Sequence, residues 1–148
     1  MKQKVGLTIS TRAKVTLWKE KMKQLLIVTH GSRREQSNNE VRVLAEKVAI
    51  DLPLITDDVL VAFLEFASPS ISEAIDISFT QGVKELIVLP YFLSAGNHVT
   101  RDIPKEIDTV MRNWPDRKVT ILPHIGASNE MVDLIGNCCQ NKNAMGVQ

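Results

Sequence analysis

At 148 residues, 44% of them hydrophobic and 24% charged, the chain has the composition of one globular domain with a real core. That composition excludes disorder, and no apolar run approaches the roughly 20 residues that span a bilayer. The net charge of +1 hides an asymmetry: residues 1–23 carry seven basic groups against Glu20 alone, leaving 11 basic and 16 acidic groups downstream. A mildly acidic body disfavours general nucleic-acid binding, so an anionic ligand must be met by a local cationic patch.

Residues 1–23 are expected to form a basic extension outside the fold, residues 24–140 the domain, and residues 141–148 a tail. The extension lacks the apolar stretch and cleavage site of a secretory signal; its acid-poor, Ser- and Thr-containing composition leaves an organellar transit peptide open. The two cysteines, Cys138 and Cys139, are adjacent, which strains any disulfide between them. With no disulfide framework, a reducing cytoplasm is the expected compartment.

From Gln24 onward, short apolar runs alternate with amphipathic stretches. Leu25-Leu26-Ile27-Val28 is a continuous run of strand length, of the kind buried on both faces of a parallel sheet. Val41, Leu44, Ala45, Val48 and Leu52 then recur at helical spacing. Val59 to Phe66 reads as a second strand. Ser68-Pro69 announces a helix with Pro69 at its first position, Ser70 and Glu73 as a possible capping box, and Gly82 as its stop. Its inward face is Ile71, Ala74, Ile75 and Ser78. Leu86 to Pro90 is the third strand, and a loop containing Gly96 follows. Ile103, Ile107, Val110, Met111 and Trp114 mark the next helical face, ended by Pro115. Val119 to Leu122 is a fourth strand, and Met131, Val132, Ile135 and Cys138 a last helical face, with Cys138 and Cys139 read as buried structural residues. This order predicts an α/β fold: a four-stranded parallel sheet with right-handed crossovers and helices on both faces.

Open α/β sheets bind ligands beyond the carboxyl ends of their strands. His30 follows the first strand, Glu65 closes the second, and His98 lies in the loop after the third. Two imidazoles and a carboxylate converging there could hold a divalent ion with open positions, or act as bases. A histidine at a strand end is often only a structural hydrogen-bonding residue, but three such groups at successive strand ends favour function. Glu65 sits between Leu64 and Phe66, which should partly desolvate it and leave it needing a partner. His124, after the fourth strand, is expected at the rim of the same edge.

Three segments carry a resemblance. Thr29-His30-Gly31-Ser32-Arg33, Phe63-Leu64-Glu65 with Pro69 just after, and Leu89 to Pro104 with Gly96-Asn97-His98 at its centre resemble the sirohydrochlorin cobaltochelatase and ferrochelatase family. The likeness runs from about Gln24 to Leu134, and the third segment is the most specific. It implies a chelatase-like, flavodoxin-like lobe of the short form that pairs as a homodimer to complete a tetrapyrrole cleft. It also implies that His30, His98 and Glu65 are the metal-binding and catalytic residues. The implied activity is ATP-independent insertion of a divalent metal into sirohydrochlorin, in cobalamin or siroheme biosynthesis. The metal (cobalt first, iron next, nickel open) is a substrate, and no prosthetic group is expected.

A polycarboxylate macrocycle needs cations at its rim. Arg33, Arg34 and Arg101 are the candidates, with backbone donors near Ser32 at a helix start as a further source. Ser94, Gly96 and Asn97 are expected to shape the loop against the ligand. Two other readings use the same residues. A histidine phosphatase would make His30 a phosphorylated nucleophile, although Thr29 stands where those enzymes carry arginine. A non-catalytic metal or tetrapyrrole carrier would bind without turnover.

Overall fold

The computed structural model describes residues 23–51 and 58–141. The expected extension before residue 23, Leu52 on the first helical face, and residues 142–148 of the expected tail lie outside the described residues. The elements are β1 (Lys23–Thr29), α1 (Glu35–Asp51), β2 (Val59–Phe63), α2 (Ile71–Thr80), β3 (Glu85–Pro90), a π-helical turn (His98–Asp102), α3 (Ile103–Met111), β4 (Lys118–Ile121), a 3-10 turn (Ile125–Ala127) and α4 (Glu130–Gln140). All four strands are parallel in the order β2-β1-β3-β4, so the chain reverses its winding direction between β1 and β3. That switch opens a crevice at the carboxyl edge. No helix among the described residues is long and apolar enough to cross a membrane.

Strand β1 buries both faces, as its continuous apolar run requires, while β3 buries Leu86, Val88 and Pro90 on one face and leaves Ile87 and Leu89 half-buried on the other. One face of the sheet (Leu26, Val28, Ala62, Leu86, Val88) packs under α2 and α3, through Ile71, Ala74, Ile75 and Phe79 of α2 and Ile103, Ile107 and Val110 of α3. The other face (Ile27, Val61, Phe63) packs under α1 through Ala45, with Val41 alongside. Phe79 meets Trp114 edge-on at 5.5 Å between ring centroids, and the Trp114 indole N–H donates to Asp76 at 2.7 Å.

The local signals around α2 are partly as expected. Ser70 caps the helix reciprocally with Glu73, its hydroxyl accepting from the Glu73 amide while the Glu73 carboxylate accepts from the Ser70 amide. Pro69 is not the first helical residue. It precedes the cap, since the capping box at Ser70 and Glu73 sets the helix start at Ile71, two residues later, and it follows a cis peptide bond from Ser68. At the other end Gly82 takes a positive φ of 97°, and the Val83 amide closes back on the Ser78 carbonyl.

The last helix departs from expectation. The apolar face of α4 is there, but none of its residues is buried, and Val132 and Ile135 are 75% and 58% exposed. Periodicity reports that a face is apolar, not what covers it. Cys138 and Cys139 are accordingly exposed free thiols rather than buried structural residues.

The packing makes one residue a sensitive probe. Phe79→Ala, which empties a fully buried ring position between α2 and Trp114, is expected to cost about 3–5 kcal/mol in urea unfolding followed by far-UV circular dichroism.

Candidate functional site

The site is built by continuing the β1–β2 ladder past the ends of both strands. The Leu64 amide donates to the Thr29 carbonyl at 3.0 Å, and the Glu65 amide to the His30 carbonyl at 2.9 Å. Glu65 therefore lies two residues beyond β2 rather than closing it, yet its backbone is still registered against His30. Gly31 allows this approach: its φ is 89°, and a Cβ there would sit 1.9 Å from the Glu65 carbonyl oxygen. Directly afterwards the Ala67 amide turns back to the Glu65 carbonyl at 2.9 Å, forming a γ-turn around Phe66. Phe66 has φ 64°, a conformation that costs a non-glycine residue about 1–3 kcal/mol. The turn ends the strand and throws the Phe66 ring outward, 54% exposed. The Glu65 side chain is half exposed as well, so its apolar neighbours do not desolvate it as expected.

His98 reaches the same edge from the β3 side. The Tyr91 amide closes on the Val28 carbonyl, and the loop after β3 then enters the π-helical turn that opens with His98. The loop is braced from below by the 3-10 turn after β4. There the Gly126 amide donates to the Phe92 carbonyl, and a Cβ on Gly126 would lie 2.1 Å from the Leu93 oxygen.

The three expected ligands are brought together. The His30 and His98 rings meet edge-on at 5.0 Å between centroids, and His30 Nε2 lies 4.0 Å from a Glu65 carboxylate oxygen. His30 Nδ1 pairs with the Gly31 carbonyl at 3.1 Å and His98 Nδ1 with the Asp102 carboxylate at 2.9 Å, so Nε2 is the nitrogen each ring leaves for an incoming group. Among the described residues no three His, Cys, Asp or Glu side chains are drawn tightly enough to hold an ion as they stand. An ion bound tetrahedrally with bonds near 2.1 Å holds adjacent donors roughly 3.4 Å apart, so the 4.0 Å gap needs only a small closure.

A cleft of about 380 Å³ opens beside these residues, lined by Glu65, Ser72, His98, Asp102, Lys105 and Glu106. The hydrogen bond from His98, with Arg101 adding to it, holds the Asp102 carboxyl below its ordinary range against the opposing effect of burial. Burial pushes the Glu106 carboxyl up, and the Asp102 charge pushes it further.

The expected cationic rim is only partly free. Arg33 lies over the Phe66 ring at 5.0 Å, Arg34 is exposed, and Arg101 holds Asp102 at 3.3 Å with its side chain 70% exposed. The backbone donors near Ser32 do not serve an anion. The Ser32 amide donates to the buried Asn38 side chain and the Arg34 amide to the Ser32 hydroxyl. Glu35 also occupies the first turn of α1, its carboxyl lowered by bonds from Asn38 and Arg42. Ser94, Gly96 and Asn97 are exposed in the loop, and a Cβ on Gly96 would meet open space, so the protein's own packing does not require a glycine there. His124 is half-buried at the carboxyl end of β4, on the same edge.

Residues 24–141 match the CbiX family model. The chain belongs to the CbiX family. A relative in Methanococcus maripaludis, named sirohydrochlorin cobaltochelatase, is 45% identical over 84 residues, 57% of each chain. The sirohydrochlorin ferrochelatase of Arabidopsis thaliana chloroplasts is 31% identical over 121 residues, 79% of this chain and 51% of that one. The structure of SirB from Bacillus subtilis with Fe3+ shares the fold at a TM-score of 0.72 and 24% identity, over 83% of this chain and 48% of that one. The matched region thus spans about half the length of these relatives.

Within this CbiX-family lobe, sequence reasoning gave no part to Asp102 or Phe66. The spacing of His98 and Asp102, four residues apart, signals contact only once the segment is known to be helical. The positive φ of Phe66 has no signal in its own residue type. Gly31→Ala forces the Glu65 backbone away from His30. It is expected to lower stability by about 2 kcal/mol or more in urea unfolding.

Proposed function

We propose that this chain inserts a divalent metal ion into sirohydrochlorin without ATP, cobalt ahead of iron, in cobalamin or siroheme biosynthesis in the cytoplasm. The observation that carries the reading is the pair of facing imidazoles, 5.0 Å apart, with the Glu65 carboxylate 4.0 Å from one of them at the open carboxyl edge of the sheet. Its relatives bear both cobaltochelatase and ferrochelatase names.

Insertion exchanges two pyrrole protons for one M2+ while the ion sheds its water. His30 Nε2 and His98 Nε2 offer lone pairs that either ligate the incoming ion or take up the departing protons. Glu65 balances the ion's charge beside His30. The exposed guanidinium groups of Arg33, Arg34 and Arg101 flank this edge and suit the carboxylates of the macrocycle. The loop of Ser94, Gly96 and Asn97 gives the planar ring room to approach.

A single lobe covers one side of such a ring. The uncovered apolar face of α4, through Val132, Leu134 and Ile135, supports a second copy of the chain as its partner, as does the near-double length of SirB. Val132→Asp together with Ile135→Asp is expected to convert a dimer into a monomer in analytical ultracentrifugation while the far-UV spectrum is unchanged.

The deciding experiment is anaerobic incubation with sirohydrochlorin and Co2+, Fe2+ or Ni2+ in turn, following the absorption spectrum of the macrocycle against a control without protein. Catalysed insertion is expected, fastest with Co2+, and His30→Ala or His98→Ala should each slow it by at least about 100-fold. No acceleration by folded protein with any metal would replace the chelatase reading with that of a carrier. His98→Ala with full activity would remove that residue from the site.

A further inference from the structure

Asp102 stands at the boundary between the π-helical turn and α3, where an aspartate ordinarily caps a helix. It does not do so here. Its backbone is helical, at φ −71° and ψ −46°, and its side chain makes no capping bond to the α3 amides. The carboxylate turns instead toward the metal edge. One oxygen accepts from His98 Nδ1 at 2.9 Å, and the other accepts from Arg101 Nε at 3.3 Å. The π-helical turn, closed by the Ile103 amide on the His98 carbonyl, brings the two side chains together across four residues.

We infer that Asp102 is a positioning residue that fixes the His98 imidazole with its proton on Nδ1 and its lone pair on Nε2. The inference deepens the chelatase reading and rests on it for the identity of the incoming ion. A neutral imidazole carries one ring proton, and a carboxylate at hydrogen-bond distance can only accept it. Unconstrained histidine favours the opposite tautomer, with the proton on Nε2, which would block the nitrogen that His98 offers. A carboxylate behind the ring therefore selects the ligating form and strengthens the nitrogen as a donor, and losing such a partner costs about 10–100-fold in metal affinity. Arg101 steadies the carboxylate from its other oxygen. Glu65 stands beside the other ring, its carboxylate 4.0 Å from His30 Nε2.

The test uses the full chain, metal-free, with 15N-labelled histidine, at one fixed and mildly alkaline pH. The sequence has three histidines, and His98→Gln assigns the signal of interest. Imidazole 15N–1H correlation spectra are expected to show wild-type His98 protonated on Nδ1. Asp102→Ala should move the proton mainly to Nε2 and raise the Co2+ dissociation constant by about 10–100-fold. Asp102→Asn is expected to behave like Asp102→Ala, because with its one amide oxygen on Arg101 Nε its NH2 group faces Nδ1 and can only donate, which leaves the ring proton on Nε2. A purely structural role for Asp102 would lower the thermal midpoint without moving the tautomer. A wild-type His98 protonated on Nε2 overturns the inference with no variant needed. So does an Asp102→Ala protein with wild-type tautomer and Co2+ affinity. A correct tautomer in a wild-type protein that takes up no Co2+ would overturn the chelatase reading alone, because the ring is read without metal.

Discussion

The constraint on which the site depends is the approach of two backbones beyond the end of the sheet. The strands β1 and β2 stop at Thr29 and Phe63, yet the amides of Leu64 and Glu65 remain paired with carbonyls of Thr29 and His30. Gly31 leaves room for the Glu65 carbonyl, and the γ-turn at Phe66 ends the run before it becomes another strand. A flexible loop could carry the same side chains, but not hold His30 and Glu65 at a set separation. Here their spacing is inherited from the hydrogen-bonded ladder of the sheet.

The β3 side solves a different problem. His98 must reach across the switch point to face His30 while its own ring orientation is fixed. The chain meets both demands with one unusual turn of helix and a carboxylate four residues on. The two imidazoles are thus secured by unlike means, one through the ladder and a glycine, the other through a side-chain bond. Arg33, Arg34 and Arg101 are exposed, Arg33 resting over the Phe66 ring and Arg101 bonded to Asp102.

Much of this was legible in the residues. Continuous apolar runs located all four strands, three of them within a residue or two, while the second was read three residues too long at Phe66 because its apolar run continues past the end of the ladder at Phe63. Those strand ends put His30, Glu65 and His98 on one edge, and the structure brings them together there. The failures have separate causes. Pro69 looked like a helix start because proline favours that position, but the Ser70 and Glu73 pair sets the boundary instead. Glu65 was read as desolvated from its neighbours in sequence, whereas the γ-turn swings Phe66 away from it. The cysteines of α4 were read as buried because spacing alone does not distinguish a core face from an exposed apolar one. Asp102 was passed over because its role is set by a π-helical turn, which has no distinct residue pattern.

Gly126 ties these halves together in a way that concerns mechanics rather than chemistry. The turn that contains it leads directly into α4, and the same turn is wedged against the Leu93 backbone below the His98 loop. With no side chain to act as a cushion, that junction is stiff. A load applied to α4 is therefore delivered to the loop that carries His98, and the helix becomes a lever whose fulcrum lies under the carboxyl edge of the sheet.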